Sequence, residues 1–397
     1  AVGIDENNGR ISGLNILLPA APPPGNTVAE EIRVKEERRL AGLMAKAETV
    51  PYPEDMEMTL AVASHWGLER KIPVEAQDRL LGLEGSKSVP FMVERLNTPD
   101  VLSLRLMNEL FAVHAYHAVP ALIQVKNALD PLVKSRALYF LGQLKDSKAL
   151  KSCIEALEDP SWRVKSAAIR AIGEILDERR LQVFQPMKQA VVKTLEKNDP
   201  SLIRGYLLDG ENALRVLSVL SSAVPIDYQT HKQYEHMSLQ KEKGDTLEEY
   251  VHFVFDHLQE LRLTLEKWTG EFRQSPSAAK RLMPYLSDPQ PALRKTAAFS
   301  LGQMNEKSAL PELIALLNDP YLEVRDATVL SIAFFQDEDI DSVHLAMKEE
   351  SPSFKILALD VLSKIKSDRA RALLEEYRND PNPNVRRMAK QALGTYD

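Results

Sequence analysis

The 397-residue sequence predicts an all-α fold in which helical hairpins stack in series, an α-solenoid. Three observations carry that expectation. Asp-Pro pairs recur at near-constant spacing, and each is followed by a basic residue at a fixed offset. Between the pairs, apolar residues return every three or four positions, the period of a half-buried helix. Only 6% of the chain is aromatic and it holds 16 glycines, which leans away from a β-sandwich.

The recurring segments are DPLVKSRALYFLGQL from Asp130, DPSWRVKSAAIRAIGEI from Asp159, DPQPALRKTAAFSLGQM from Asp288, DPYLEVRDATVLSIAFF from Asp319 and DPNPNVRRMAKQALGTY from Asp380. Six positions after each aspartate stands a cation: Arg136, Lys165, Arg294, Arg325 and Arg386. A weaker copy starts at Ser351. The marks lie 29 residues apart from Asp130 to Asp159, 31 from Asp288 to Asp319, 32 to Ser351 and 29 to Asp380. A period near 30 means that each unit is one supersecondary element whose apolar face is covered only by its neighbours.

Each repeated position has a physical role. The aspartate suits an N-cap, where its carboxylate accepts from an unpaired amide, and the proline suits the first helical position. Ala167, Ala168, Ala297, Ala298 and Ala327 let helices approach closely. Gly142, Gly173, Gly302 and Gly394 fall near helix ends, where a left-handed cap is often needed. The basic residue, two turns into the helix, is placed to reach the aspartate of the adjacent unit. An Asp–Arg/Lys ladder of structural rather than catalytic purpose follows.

The D-P-x-x-x-V-R core, the alanine-rich second helix and Pro311 in a first helix resemble HEAT repeats, particularly the short bacterial kind of PBS-lyase-type proteins. The resemblance covers about Lys71 to Leu220 and Ser275 to Asp397. It implies stacked helix pairs with the second helices lining one face. It implies little chemistry, since such proteins are mostly adaptors and scaffolds.

Along the chain, residues 1–27 read as an extended Pro/Gly-rich tail or linker with an apolar island at Leu14, Ile16 and Leu17. Residues 28–70 read as N-terminal capping helices, 71–225 as a first array, and 275–397 as a second array. Between the arrays, residues 226–274 read as an insertion. It comprises an irregular polar loop, PIDYQTHKQYEHMSLQKEKG (Pro225 to Gly244), and one long helix, Asp245 to Phe272. The loop, the tail and the second helices are the expected contacts, through Leu14, Ile16, Leu17, Tyr228, Tyr234, Arg163, Arg170 and Lys295. The chain starts at Ala1, so either an initiator methionine has been removed or a signal or membrane anchor precedes it.

Net charge of -7 argues against a general nucleic-acid binder. A single cysteine, Cys153, excludes an internal disulfide and a Cys-based zinc site, and reads as a packing residue. His114 and His117 are three apart, and His231, His236, His252, Asp256 and His257 cluster in sequence. None has metal-ligand spacing. Nucleotide-binding and hydrolase motifs are missing, so no cofactor or catalytic residue is expected. The function expected is a non-catalytic scaffold or adaptor holding a protein partner, as a subunit of a larger assembly. Two enzymatic alternatives come with the resemblance: a bilin lyase-like chromophore handler and a HEAT-type DNA glycosylase or nucleic-acid binder. The compartment is open between cytoplasm and periplasm, with membrane association through an N-terminal anchor.

Overall fold

A computed structural model describes residues 27–49, 54–65, 68–240, 244–335, 340–348 and 351–396. Among them there is no strand. The island at Leu14, Ile16 and Leu17 lies outside the described residues. Packing divides the chain into two units, 1–92 with 98–110, and 93–97 with 111–397.

The first unit holds α1 (Thr27–Ala47), α2 (Glu54–Ala63), α3 (Lys71–Leu81), α4 (Gly85–Val93, to residue 92) and most of α5 (Val101–Val113). The charges of α1 pair along its own surface, Arg33 with Glu30 and Glu37, and Arg39 with Glu36. Such i,i+3 and i,i+4 pairs add only tenths of a kcal/mol each, roughly 0.2–0.5. Packing comes from buried residues such as Leu40 and Ala47. Arg79 ties α3 to the preceding helices, donating to the Ala47 carbonyl at 2.7 Å and to buried Asp55 at 2.5 Å. The expected boundary at residue 70 therefore falls inside this unit.

The second unit contains α6 (Ala115–Gln124), α7 (Pro131–Leu144), α8 (Leu150–Glu155) and α9 (Trp162–Ile175). Then come α10 (Arg179–Lys197), α11 (Pro200–Leu207), α12 (Gly210–Ala223), α13 (Tyr228–Gln240), α14 (Asp245–Asp256) and α15 (Leu258–Glu271). It ends with α16 (Ser275–Leu282), α17 (Pro291–Gln303), α18 (Leu310–Leu316), α19 (Leu322–Ile332), α20 (Ile340–Met347), α21 (Pro352–Ile365), α22 (Asp368–Glu376) and α23 (Pro383–Leu393). The second helices of the hairpins, α7, α9, α17, α19, α21 and α23, pack one on the next in that order. The all-α solenoid expected from the period is the architecture.

The solenoid is not split. Helix α9 packs directly on α17 although 115 residues separate Ile175 from Pro291. The seam is held by Ser166 Oγ and Thr296 Oγ1 at 2.9 Å, by the Glu178 amide donating to the Gln303 carbonyl at 3.0 Å, and by the Tyr285 hydroxyl donating to the Leu157 carbonyl at 3.0 Å. The glycines expected as left-handed caps do a different job here. A Cβ on Gly142 would stand 3.0 Å from Ala171 Cα, one on Gly173 2.6 Å from Ser300 Cβ, and one on Gly302 2.6 Å from the Ser331 carbonyl oxygen. Gly142, Gly173 and Gly302 each mark the point where one second helix touches the next, while Gly394, at φ -63°, is neither left-handed nor such a point. The left-handed residues after α7, α17 and α21 are instead Lys145, Asn305 and Lys366.

These crossings measure the insertion. The glycine and its partner are 29 residues apart at Gly142–Ala171 and at Gly302–Ser331, but 127 apart at Gly173–Ser300. Subtracting 29 from 127 leaves 98 extra residues, the length of 177–274. The added stretch holds α10 to α15, a body of helices between α9 and α17 in the chain. That body has its own core, including Met187, Val191, Ile203, Leu217, Tyr250, Leu261 and Trp268.

Two expectations inside the insertion are corrected. The stretch read as an irregular loop is largely helix α13. Its aromatics, which masked the helical period as surface residues would, point inward, so Tyr228 and Tyr234 are 7% and 6% exposed. Tyr234 stacks on Tyr250 with ring centroids 4.6 Å apart, and the Tyr250 hydroxyl donates to the Ala213 carbonyl at 2.7 Å. Neither tyrosine is available to a partner. The long helix breaks at His257, whose backbone leaves the helical region (φ -112°, ψ 17°) and whose amide bonds three residues back, to Val254.

The turns entering the second helices explain the Asp-Pro mark. In four of the five full copies the aspartate stands two residues before the helix N-cap and accepts a turn amide: Asp159 from Ser161, Asp288 from Gln290, Asp319 from Tyr321 and Asp380 from Asn382, at 2.8–2.9 Å. The first copy lacks these two residues, and Asp130 itself caps α7, accepting from the Leu132 amide at 2.8 Å. Counting from helix starts, the repeated cation is the fourth residue: Lys134, Lys165, Arg294, Arg325, Lys355 and Arg386. Arg136 is therefore not the rung. It donates to the Leu96 carbonyl at 2.6 Å, and Lys134 reaches Asp159 instead, at 2.8 Å. The other inter-repeat rungs are Arg294 to Asp319, at 2.7 and 3.0 Å, and Lys355 to Asp380, at 3.5 Å. All three rungs link residues 25 apart. Arg294, Arg325 and Arg386 also donate to the carbonyl of their own aspartate, Asp288, Asp319 and Asp380, at 2.6–2.7 Å.

Candidate interaction face

The glycine crossings put equivalent positions of consecutive second helices side by side. The ninth residue of each helix is Tyr139 in α7, Arg170 in α9, Phe299 in α17 and Leu330 in α19. Arg170 is exposed, Leu330 is 39% exposed, and both rings are half-buried. Burial raises the Tyr139 phenol above its ordinary pKa, and neighbouring Arg170 partly opposes the shift. One turn on, Phe334 meets Phe299 edge-on at 5.6 Å, and Arg179 lies over the Phe334 ring at 4.5 Å. Arg179 is itself held by buried Asp177.

Of the residues the sequence singled out, Arg163 and Arg170 lie exposed on α9, two turns apart. Arg163 stacks on Trp162 at 5.6 Å. Lys295 lies on α17 next to this row but is paired with Glu323 of α19 at 3.4 Å. The row thus joins Arg163, Arg170 and Lys295 on one run of helices, while Tyr234 belongs to the insertion core and Tyr228 is buried on α13. Tyr139, Phe299, Leu330 and Phe334 were missed, because an aromatic at helical spacing reads as core. The usable signal was their recurrence at one register position.

Beneath this face, Arg180 fastens the insertion. Its guanidinium donates to the Ile175 carbonyl at 2.5 Å and the Lys145 carbonyl at 2.7 Å, joining the ends of α9 and α7. It is covered by Phe184 at 4.8 Å and Trp268 at 5.3 Å. Desolvation pulls its pKa down to about 10 despite Asp177 and Glu174 nearby. An arginine there satisfies orphan helix-end carbonyls that water does not reach.

Burial pushes the Cys153 thiol up to about 12, far from the thiolate a nucleophile needs. His114 is buried at the start of α6, where its carbonyl accepts from the amides of His117 and Ala118. Among the described residues no group of three His, Cys, Asp or Glu side chains converges as a metal site. Among them, too, no helix is long and apolar enough to cross a membrane.

The HEAT-repeat family model matches residues 119–199 and 259–333. No curated protein sequence matches it. Among solved structures, a designed armadillo repeat protein in complex with the peptide (KR)4 is 15% identical, covers 78% of this chain and 99% of its own, and has a TM-score of 0.30. Human deoxyhypusine hydroxylase in complex with glycerol is 15% identical over 93% of this chain and 99% of its own, at 0.25. The complex of CpcE and CpcF of phycocyanin lyase from Nostoc sp. PCC7120 is 17% identical over 72% and 92%, at 0.30. Likeness of this degree carries nothing about activity or partner.

Proposed function

We propose that this chain is a non-catalytic scaffold that holds a protein partner against the exposed face of its second helices, as a subunit of a larger assembly. The observation that supports the reading is the register-matched row Tyr139, Arg170, Phe299 and Leu330, extended by Phe334 and Arg179. Tyrosine, phenylalanine and arginine are enriched at protein interfaces, where rigid aromatic area desolvates cheaply and a guanidinium fixes orientation. The buried state of Cys153 and His114 supports the absence of chemistry at those two residues.

The test is site-specific photo-crosslinking in an extract of the native source, with the photoreactive residue at position 139 or 299, or at Lys151 on exposed α8. Adducts to one protein from 139 and 299 but not from 151 are expected. Equal adducts from 151, or none from 139 and 299, overturn the reading. Mixing the protein with a free bilin is expected to leave its absorption spectrum unchanged; a shifted band would favour the chromophore-handling alternative.

A further inference from the structure

We infer that the partner segment held on this face is acidic with an apolar anchor, its carboxylates meeting Arg163 and Arg170 and its apolar side chain meeting Tyr139 and Phe299. The inference rests on the scaffold reading and adds the chemistry of what is held.

Charge complementarity carries it. The chain as a whole is acidic, at -7, yet α9 presents two exposed arginines on one side. Neither has an ion-pair partner among the described residues, whereas several charges around them do. Glu174 is taken by Lys145 at 3.1 Å, Asp177 by Arg179, Glu323 by Lys295, and Asp159 by Lys134. Two unpaired cations on an acidic protein make a local attraction for anions that the net charge opposes elsewhere. The two arginines are seven residues apart, which spaces them about 10.5 Å along the helix axis. That distance suits two acidic residues of a segment laid across α7, α9 and α17. Between and beside them lie Ser166, which faces Thr296, and the half-buried rings of Tyr139 and Phe299. The rings offer an apolar surface, so a purely acidic chain leaves half the face unused. Toward α19 the face turns acidic at Glu323 and Asp326, which limits the anionic part of the segment to the α7–α17 side.

The measurement is fluorescence anisotropy on the whole chain with the labelled peptide EEFEELFEE, its glutamine and lysine counterparts, and an oligothymidine of equal length. The acidic peptide is expected to bind and to lose affinity about tenfold or more in an Arg163→Glu/Arg170→Glu variant whose helicity and melting are unchanged. Phe299→Ala should weaken it several-fold without altering its salt dependence. The glutamine peptide should bind more weakly and the lysine peptide not at all. Binding of the lysine peptide as tightly as the acidic one, or indifference to the double charge reversal, overturns the inference. Equal binding of oligothymidine, lost in the same variant, also overturns it, since the face would then recognise any polyanion. Crosslinks from 139 and 299 together with no acidic-peptide binding would leave the scaffold reading standing and remove only this one.

Discussion

The stacked second helices and the 98-residue insertion are both helical, but they are held together differently. In the repeats, α7, α9 and α17 each touch the next second helix at a glycine and most turns are clamped by an aspartate, so stability is shared over neighbours. In the insertion, α10 to α15 surround one common core, and a single glycine, Gly210 of α12, presses on α13, where its Cβ would stand 2.5 Å from the Ser238 carbonyl oxygen. A glycine's consequence follows from what lies against it. Gly302 of α17 is pressed against Ser331, while Gly270 of α15 has nothing within 4 Å of a would-be Cβ. A repeat constrains residues by register; a core constrains them by volume.

That contrast sets the expected effects. Gly302→Val should cost about 3 kcal/mol, because backbone atoms of α19 must retreat. Asp319→Asn should cost about 2 kcal/mol, since one substitution weakens a half-buried arginine pair that closes the turn onto Arg294. Asp130→Ala, at an exposed cap without a rung, should cost about 1 kcal/mol. Chemical denaturation of the three variants checks the order. The comparison breaks if Asp130→Ala matches or exceeds Asp319→Asn.

Acid sharpens it further. Burial opposes ionisation of Asp319, but hydrogen bonds from Arg294 and the Tyr321 amide outweigh it and hold the carboxyl below its ordinary range. Asp159 is likewise held low, with burial opposed by Lys134 and the Ser161 amide. A depressed folded pKa gives stabilisation that is complete above the unfolded value, roughly 3.9, and is lost as pH falls through the folded value. Melting temperature should accordingly stay level from neutrality to about pH 4 and drop below it. Arg294→Gln should flatten part of that drop. The smallest effect lies in the insertion: Gly270→Ala should stabilise by about 0.5–1 kcal/mol, since it removes unfolded-chain freedom from a helix without a clash.

The repeat itself was legible because one turn uses the same residues each time. Its details were less so. Arg136 sits at the expected offset from Asp130, but the first turn is two residues shorter, so the rung passes to Lys134; only helix starts, not Asp-Pro marks, give the register. The glycines were visible but ambiguous, since a helix end and a helix crossing both favour glycine. The join of α9 to α17 leaves no local signal. It was present only as arithmetic, in Ala171-Ile172-Gly173 and Ser300-Leu301-Gly302 standing at equivalent places. Asp177 caps its turn as Asp146 caps that before α8, so in the sequence α10 starts like one more first helix. Tyr228 and Tyr234 look like surface aromatics in a polar stretch, and only the packing of α13 against α14 shows them to be core.

One uninterrupted solenoid runs through α7, α9, α17 and α19, with residues 177–274 inserted into it. Deleting those 98 residues joins Leu176 to Ser275, brings Asp159 and Asp288 to 31 residues apart, and places Ser275 where Asp177 caps the turn. Circular dichroism and thermal melting of this deletion test the claim most directly. A helical protein that melts in one cooperative step, and that loses this cooperativity when Ser300 is changed to leucine against Gly173, is the expected result. A deletion that separates into two independent transitions, or whose melt ignores Ser300→Leu, would show that α9 and α17 are not neighbours in one stack.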